Sequence, residues 1–258
     1  MQCKTKERIP IKLLIIRHGD PDYSIDSLTE KGWREAELLG ERLSKLNIRD
    51  FYCSPLGRAR DTAKPTLKRL GRENELQILP WLHEFRGTIV DPFSEKKRIP
   101  WNITPQYWTR QEALFDKDEW LDHPLMTTGN VREIYEETCR GVDALLEKYG
   151  YRRDGYIFHC ENNTDDTIVL FCHFALGMAI IAHMTGTSLP VMWQSFFLPT
   201  SSVTTFVTEE RVKGEVFFKC MQMGDTSHLY AGGEPVSNSG LYLERLDPEK
   251  VGDINAAR

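Results

Sequence analysis

Two short apolar runs in this chain end in histidine. Leu13-Leu14-Ile15-Ile16 leads into Arg17-His18-Gly19, and Ile168-Val169-Leu170-Phe171-Cys172 leads into His173. A third run, Phe51-Tyr52-Cys53, opens into Ser54-Pro55-Leu56-Gly57-Arg58-Ala59-Arg60. Continuous apolar runs of this length, bounded by turn residues, predict strands buried on both faces, as parallel strands are. In open α/β sheets, ligands bind where such strands end. One sheet edge can therefore gather two histidines and two or more arginines.

That set suits phosphate chemistry. A phosphate dianion is matched by the planar, permanently charged fork of arginine. A neutral imidazole at His18 can attack phosphorus in line, and nearby guanidinium charge disfavours its protonation near neutral pH. Transfer itself needs mostly positioning and charge stabilisation, which arginines and a second histidine supply without a metal. Taken singly, each residue has an ordinary role: a histidine at a strand end is commonly a hydrogen-bonded structural residue, and an arginine on a helix is commonly solvated. The combination is what argues for a site.

The elements that must position these groups follow from local pattern. Lys12–Ile16, Phe51–Cys53, Leu76–Leu79 and Ile168–Cys172 are predicted strands, and the β-rich stretches 202–207 and 216–221 close the sheet. Thr29 reads as a helix N-cap ahead of Trp33, Ala36, Leu39, Leu43 and Leu46 at helical spacing. Ser54-Pro55 reads as the cap and first turn of a second helix through Leu56, Ala59, Ala63 and Leu67, with Pro65 a possible kink. Further helices are expected over 131–149 and 175–184. Strands alternating with helices give an α/β fold with a wound, mostly parallel sheet. The stretch 88–128, rich in proline and aromatic residues, is expected to be an inserted cap within one domain spanning 1–258.

Composition narrows the classes. The chain has 258 residues, 40% hydrophobic and 28% charged, enough for a sizeable core. A net charge of −5 without a basic block gives no reason to expect a nucleic-acid or membrane partner. Met1–Pro10 is polar, the apolar run behind it is too short for a signal-peptide core, and no transmembrane-length segment follows. The scattered cysteines (Cys3, Cys53, Cys139, Cys160, Cys172 and Cys220) read as reduced thiols of a cytoplasmic protein, with Cys53 and Cys172 buried. The last dozen residues read as a loose tail.

The motifs also resemble a known family, the histidine phosphatase (phosphoglycerate mutase-like) superfamily. Leu14-Ile15-Ile16-Arg17-His18-Gly19 looks like its signature, whose histidine is phosphorylated and whose arginine binds phosphate. Leu28-Thr29-Glu30-Lys31-Gly32 resembles the segment opening its first helix. The run Ser54 to Ala63 resembles its Arg-Ala-x-Gln-Thr-Ala block, which implies Arg58 as the second phosphate ligand and Arg60 as a surface residue. His173 falls where the second active-site histidine belongs, and Gly224-Asp225-Thr226-Ser227-His228-Leu229 looks like a common family ending. The likeness covers roughly 11–87 and 168–229. It implies a three-layer α/β/α fold, with the pocket at the carboxyl edge of the sheet and the cap over it.

Breaking the P–O bond calls for a proton donor to the leaving oxygen. Glu84, in Leu82-His83-Glu84-Phe85-Arg86-Gly87, lies where the family places that acid, although its glycine follows by three residues where the family usually has four. Asp20 and Asp22 are the substitutes. Pro21 and Ser24 replace residues common in the family, and Ser24 keeps a hydroxyl able to donate to phosphate. Phe174 replaces a small residue after the second histidine and is expected to pack in the core.

Other groups are given ordinary roles. Glu95-Lys96-Lys97-Arg98 is expected to be a solvated face. Trp101, Tyr107 and Trp108 are expected to form a small core of the cap. His159, Cys160 and His183 lack ligand spacing, so no metal and no cofactor are expected. The expected function is a phosphomonoesterase working through phospho-His18, catalysed by His18, Glu84 and His173, with Arg17, Arg58 and Ser24 binding a small phosphomonoester. A phosphoglycerate-type mutase is the first alternative. It is disfavoured by the short Asp20–Ser27 segment and by the missing mutase pattern around the acid. A non-catalytic phospholigand-binding module is the second, and the intact Arg17, His18, Arg58, Glu84 and His173 argue against it.

Overall fold

The computed structural model describes residues 11–93, 95–161 and 164–242. The polar start with Cys3 and the expected loose tail lie outside the described residues. Eight strands form the main sheet: Lys12–Arg17 (β1), Asp50–Cys53 (β2), Leu76–Ile78 (β3), Arg152–Asp154 (β4), Ile157–His159 (β5), Thr167–Cys172 (β6), Val203–Val212 (β7) and Glu215–Asp225 (β8). Their order is β3-β2-β6-β1-β7-β8-β5-β4. Strands β3, β2, β6 and β1 pair in parallel, whereas β7, β8, β5 and β4 extend the sheet by antiparallel pairing. The sheet is thus mixed, and its parallel half carries both histidine-ended strands.

The apolar runs are continuous because both faces of this half are covered. Leu13 and Ile15 of β1 join one buried cluster and Leu14 and Ile16 the other, as side-chain alternation along a strand requires. Helices α1 (Glu30–Leu43) and α2 (Gly57–Leu70) cover the Leu14 face through Ala36, Leu39, Leu43, Ala59, Ala63 and Leu67. Helices α4 (Val131–Glu147), α5 (Phe174–Thr185) and α6 (Leu189–Ser195) cover the other face. A single turn, α3 (Pro105–Trp108), precedes them, and α7 (Ser227–Ala231) ends the described helices. The result is the expected three-layer α/β/α arrangement.

Local signals were read unevenly. Thr29 caps α1 as expected, its hydroxyl accepting from Gly32 N at 3.0 Å. Trp33, read as part of the apolar stripe, is exposed, while Glu35 on the same helix is fully buried. Helix α2 begins later than expected, at Gly57, with Leu56 at the cap position and no side-chain cap, so Ser54 is free for another use. Pro65 lies inside α2, which runs on to Leu70.

Segment 88–128 holds a two-strand ladder (Ile89–Val90 with Lys97–Arg98), α3 and three 3-10 turns. Its aromatics do not form a core of their own. Trp108, Leu114, Trp120 and Met126 belong to the same buried cluster as Ile15, Leu170 and Ile180. Trp193 of α6 is the link, with ring centroids 5.8 Å from Trp101, 6.4 Å from Trp120 and 4.9 Å from Phe85. The basic run is not wholly solvated either: Arg98 is buried, 2.7 Å from the Asp91 carboxylate, and donates to Asn102 O.

Candidate active site

Parallel pairing of β1 and β6 brings Arg17 opposite Cys172, so the residues that follow, His18 and His173, leave the sheet side by side. Their ring centroids are 5.2 Å apart, and both side chains are buried. The peptides around His18 are held from several sides. His18 N donates to Cys172 O, His18 O accepts from Ser201 N, and Gly19 N donates to Thr62 Oγ1 of α2. Asp20 N donates to the buried Glu35, whose other oxygen accepts from Thr200.

Hydrogen bonding fixes the tautomer of His18. His18 Nδ1 lies 2.7 Å from Gly19 O, a carbonyl that can only accept, so Nδ1 carries the proton and Nε2 keeps its lone pair. Burial, then the guanidinium of Arg17 and that of Arg58, hold the His18 pKa well below the usual imidazole value. His173 Nε2 lies 2.7 Å from Ser54 Oγ, and that oxygen also accepts from Leu56 N at 3.2 Å. A hydroxyl has one proton and two acceptor lone pairs, so Ser54 can donate to His173 Nε2, which puts the ring proton on Nδ1, or accept from it. Burial, with lesser contributions from His18 and Arg58, pushes His173 down as well, so both rings are neutral.

Arginine Arg17 is buried and Arg58 nearly so. Arg17 Nη1 donates to Leu198 O at 2.7 Å and Nη2 to Ser239 O at 2.9 Å. Arg58 Nη1 meets the Asp26 carboxylate at 2.6 Å. Asp26 itself sits at φ 48° and also accepts from Gly57 N. A side chain at residue 57 would place its Cβ 2.0 Å from Asp26 O, so only glycine lets this loop lie on the start of α2. Three buried nitrogens around His18 have no protein partner among the described residues: Arg17 Nε, Arg58 Nε and His173 Nδ1. Buried polar groups are normally paired, and a tetrahedral oxyanion is the kind of guest that would satisfy all three.

Glu84 is half-buried beside this set. Its Oε1 accepts from Phe85 N at 2.8 Å and Leu176 N at 3.1 Å, and no other hydrogen bond to its carboxylate is seen among the described residues. Burial raises its pKa against the pull of those two N–H groups and of Arg17 and Arg58. A carboxyl so placed holds its proton to higher pH than an ordinary glutamate. His83, next in sequence, acts electrostatically on His173.

Several expectations fall away. Ser24 is exposed and its hydroxyl donates to Asp22 Oδ1 at 2.5 Å, so it is turned to its own tight loop and not to the arginines. Asp20 accepts from Thr29 and Ser237 hydroxyls, and Asp22 from Ser24, so neither replaces Glu84. Phe174 packs against the main core as expected and, with Phe197, also flanks the Arg17 guanidinium, at 5.6 and 5.4 Å from the ring centroids. Asp26, Ser54, Thr62, Ser201 and the segment 237–240 were missed as contributors; only Thr62 and Ser54 fell within a quoted motif. A crevice of about 890 Å³ lies elsewhere, at the amino ends of β2 and β6, and mixes Arg49 and Arg152 with Glu161 and Glu210. Among the described residues no group of three or more His, Cys, Asp or Glu converges as metal ligands, and no helix is long and apolar enough to cross a membrane.

An α/β sheet whose parallel strands deliver two neutral histidines and two arginines to one carboxyl edge defines a class of phosphate-handling proteins. The chain belongs to the histidine phosphatase superfamily (branch 1), whose model matches residues 13–218. Among curated relatives, phosphoserine phosphatase 1 of Hydrogenobacter thermophilus is 24% identical over 213 residues, 78% of this chain and 88% of that protein. A 2,3-bisphosphoglycerate-dependent phosphoglycerate mutase of Thermoplasma acidophilum is 39% identical over 61 residues, 20% of this chain and 30% of that protein. A probable phosphatase of Schizosaccharomyces pombe is matched over 32% of its length, so the chain spans about a third of these two relatives. Among solved structures, the phosphoserine phosphatase of Entamoeba histolytica with 3-phosphoglyceric acid has TM-score 0.56 and 19% identity, covering 85% of this chain and 99% of that one. A mycobacterial glucosyl-3-phosphoglycerate phosphatase has TM-score 0.56 and 18% identity, covering 83% and 99%. These structures share the fold.

Proposed function

We propose that the chain is a phosphomonoesterase acting on a small phosphorylated metabolite through phospho-His18. The observation that supports it most is the set of partnerless buried nitrogens, Arg17 Nε, Arg58 Nε and His173 Nδ1 (a donor when Ser54 donates to Nε2), around an imidazole whose Nε2 is free. In this reading the three donors and the two guanidinium charges receive the phosphate oxygens. His18 Nε2 attacks phosphorus, the P–O bond to the alcohol breaks, and Glu84 gives its proton to the departing oxygen. Water then attacks phospho-His18, its proton passes to Glu84, and orthophosphate leaves with His18 restored.

The relatives favour hydrolysis over transfer. The phosphoserine phosphatase aligns over 78% of this chain, whereas the mutase-named relative aligns over 20% and the probable phosphatase over 22%. We read residues 88–128 as the cap that selects the leaving group, within a single domain. The partner is a small molecule, and a net charge of −5 supports no nucleic-acid partner. The free cysteines support a cytoplasmic site of action.

The test is a phosphate-release screen of wild type and His18→Ala over phosphoserine, phosphoglycerates, sugar phosphates, nucleotides and an aryl phosphate. Release by wild type alone is expected. Activity retained by His18→Ala, or a folded wild type silent on every ester, would overturn the reading.

A further inference from the structure

The segment after α7 lies outside the residues matched by the family model, yet it reaches the proposed phosphate site. It is tied down at its start: Glu234 takes Lys31 Nζ at 2.6 Å and Arg34 Nε at 3.0 Å, and Lys31 also donates to Pro235 O. Ser237 Oγ donates to Asp20 Oδ1 at 2.5 Å, in the loop that follows His18, and accepts from Ser239 N at 3.0 Å. Ser239 O then accepts from Arg17 Nη2 at 2.9 Å, and Gly240 lies against the same guanidinium. Farther on, Tyr242 acts electrostatically on Arg98 in segment 88–128. The strap thus runs from the catalytic loop across Arg17 towards the cap.

We propose that Ser237–Gly240 is a positioning element for Arg17, a part of the phosphate site contributed from outside the shared family region; the proposal rests on the phosphatase reading above. The atoms favour positioning over blockage. Arginine has five N–H groups, and the strap takes one of them on Nη2 while Leu198 O takes one on Nη1, leaving Nε without a partner. Both acceptors are neutral carbonyls, so the guanidinium keeps its charge for an anion. A plug would instead present a carboxylate, as Asp26 does to Arg58. With Phe174 and Phe197 flanking it, the guanidinium plane is fixed by two rings and two carbonyls. Such fixing lowers the ordering cost of binding.

Gly240 makes this approach possible. Its φ is 98°, and a Cβ there would stand 3.0 Å from Arg17 Nη2. Gly240→Val is therefore both strained and in conflict with the guanidinium, and should displace the Ser239 carbonyl. Ser237→Ala releases the strap from Asp20 without adding bulk.

The experiment measures inorganic phosphate binding by calorimetry and by competitive inhibition, with KM and kcat for a small and a bulky ester, in wild type and both variants. Phosphate should bind about tenfold more weakly to Gly240→Val, the weight of one charged hydrogen bond, and a few-fold more weakly to Ser237→Ala. KM should rise by similar factors for both esters. Tighter phosphate binding or faster turnover in either variant would make the strap a plug and overturn the proposal. Unchanged phosphate binding with a loss confined to the bulky ester would make it a steric wall and also overturn it. If Gly240→Val does not fold, Ser237→Ala decides alone. Wild type that binds no phosphate would instead sink the phosphatase reading itself.

Discussion

His173 Nε2 lies 2.7 Å from Ser54 Oγ, and the same hydroxyl oxygen accepts from Leu56 N at 3.2 Å. In the proposed mechanism Ser54 donates to Nε2, so that His173 carries its own proton on Nδ1 and offers it to the phosphate. Ser54→Ala should lower kcat/KM by about tenfold to thirtyfold, as losing one such bond costs about 1.5–2 kcal/mol. Steady-state kinetics with a melting curve separates this from instability. An unchanged kcat/KM would remove Ser54 from the account.

Glu84 combines a raised pKa, caused by burial, with two backbone donors that hold its Oε1. Glu84→Gln should slow hydrolysis of alkyl phosphates by about 10²-fold or more and of activated aryl phosphates far less. Rates across leaving groups of graded acidity give the answer. Equal losses at both ends would mean that Glu84 does not protonate the leaving oxygen.

His228 is buried at the turn that holds Ser201 against His18. Its Nε2 is 3.2 Å from Ser201 Oγ, and Arg42 lies on its other side at 3.4 Å, ion-paired with Asp225. Burial, then Arg42, lowers its pKa from 6.5 to about 4. The folded state thus binds fewer protons than the unfolded chain between these values. Stability from this group is present above pH 6.5 and is lost as pH falls towards 4, by about 2–3 kcal/mol. Denaturant unfolding at pH 7 and 4.5 should show that loss in wild type and a smaller one in His228→Gln. Equal losses would refute the assignment.

Trp120 is fully buried in segment 88–128, with its ring 5.0 Å from Tyr135 of α4 and 6.4 Å from Trp193 of α6. Trp120→Ala should cost about 3–5 kcal/mol, and wild type should unfold in a single transition, because the segment and the sheet share one core. A separate early transition for the segment, seen by tryptophan fluorescence, would contradict a shared core.

The sequence made some of this legible and hid the rest, for physical reasons. Strand ends are visible because a run buried on both faces stops abruptly, so His18 and His173 could be placed at one edge. The strand pattern brought Arg58 and Arg60 to that edge, while the choice of Arg58 and the assignment of Glu84 came from motif resemblance. Asp26, Glu35, Ser201 and the strap Ser237–Gly240 could not be read, since each acts through contacts between segments distant in sequence. Glu35 even opposes the pattern, a carboxylate on the core face of α1 kept there by Asp20 N and Thr200 Oγ1. Ser24 was misplaced because a hydroxyl in a tight loop can satisfy itself locally, here on Asp22.

The central claim is covalent: phosphorus passes to Nε2 of His18. Rapid quenching of wild type turning over a labelled phosphomonoester, followed by mass spectrometry of the peptides, tests it directly. The account predicts an acid-labile, alkali-stable phosphoryl group on His18, absent from His18→Ala. Turnover without any phosphoenzyme, or a phosphoryl group on another residue that persists in His18→Ala, would contradict it.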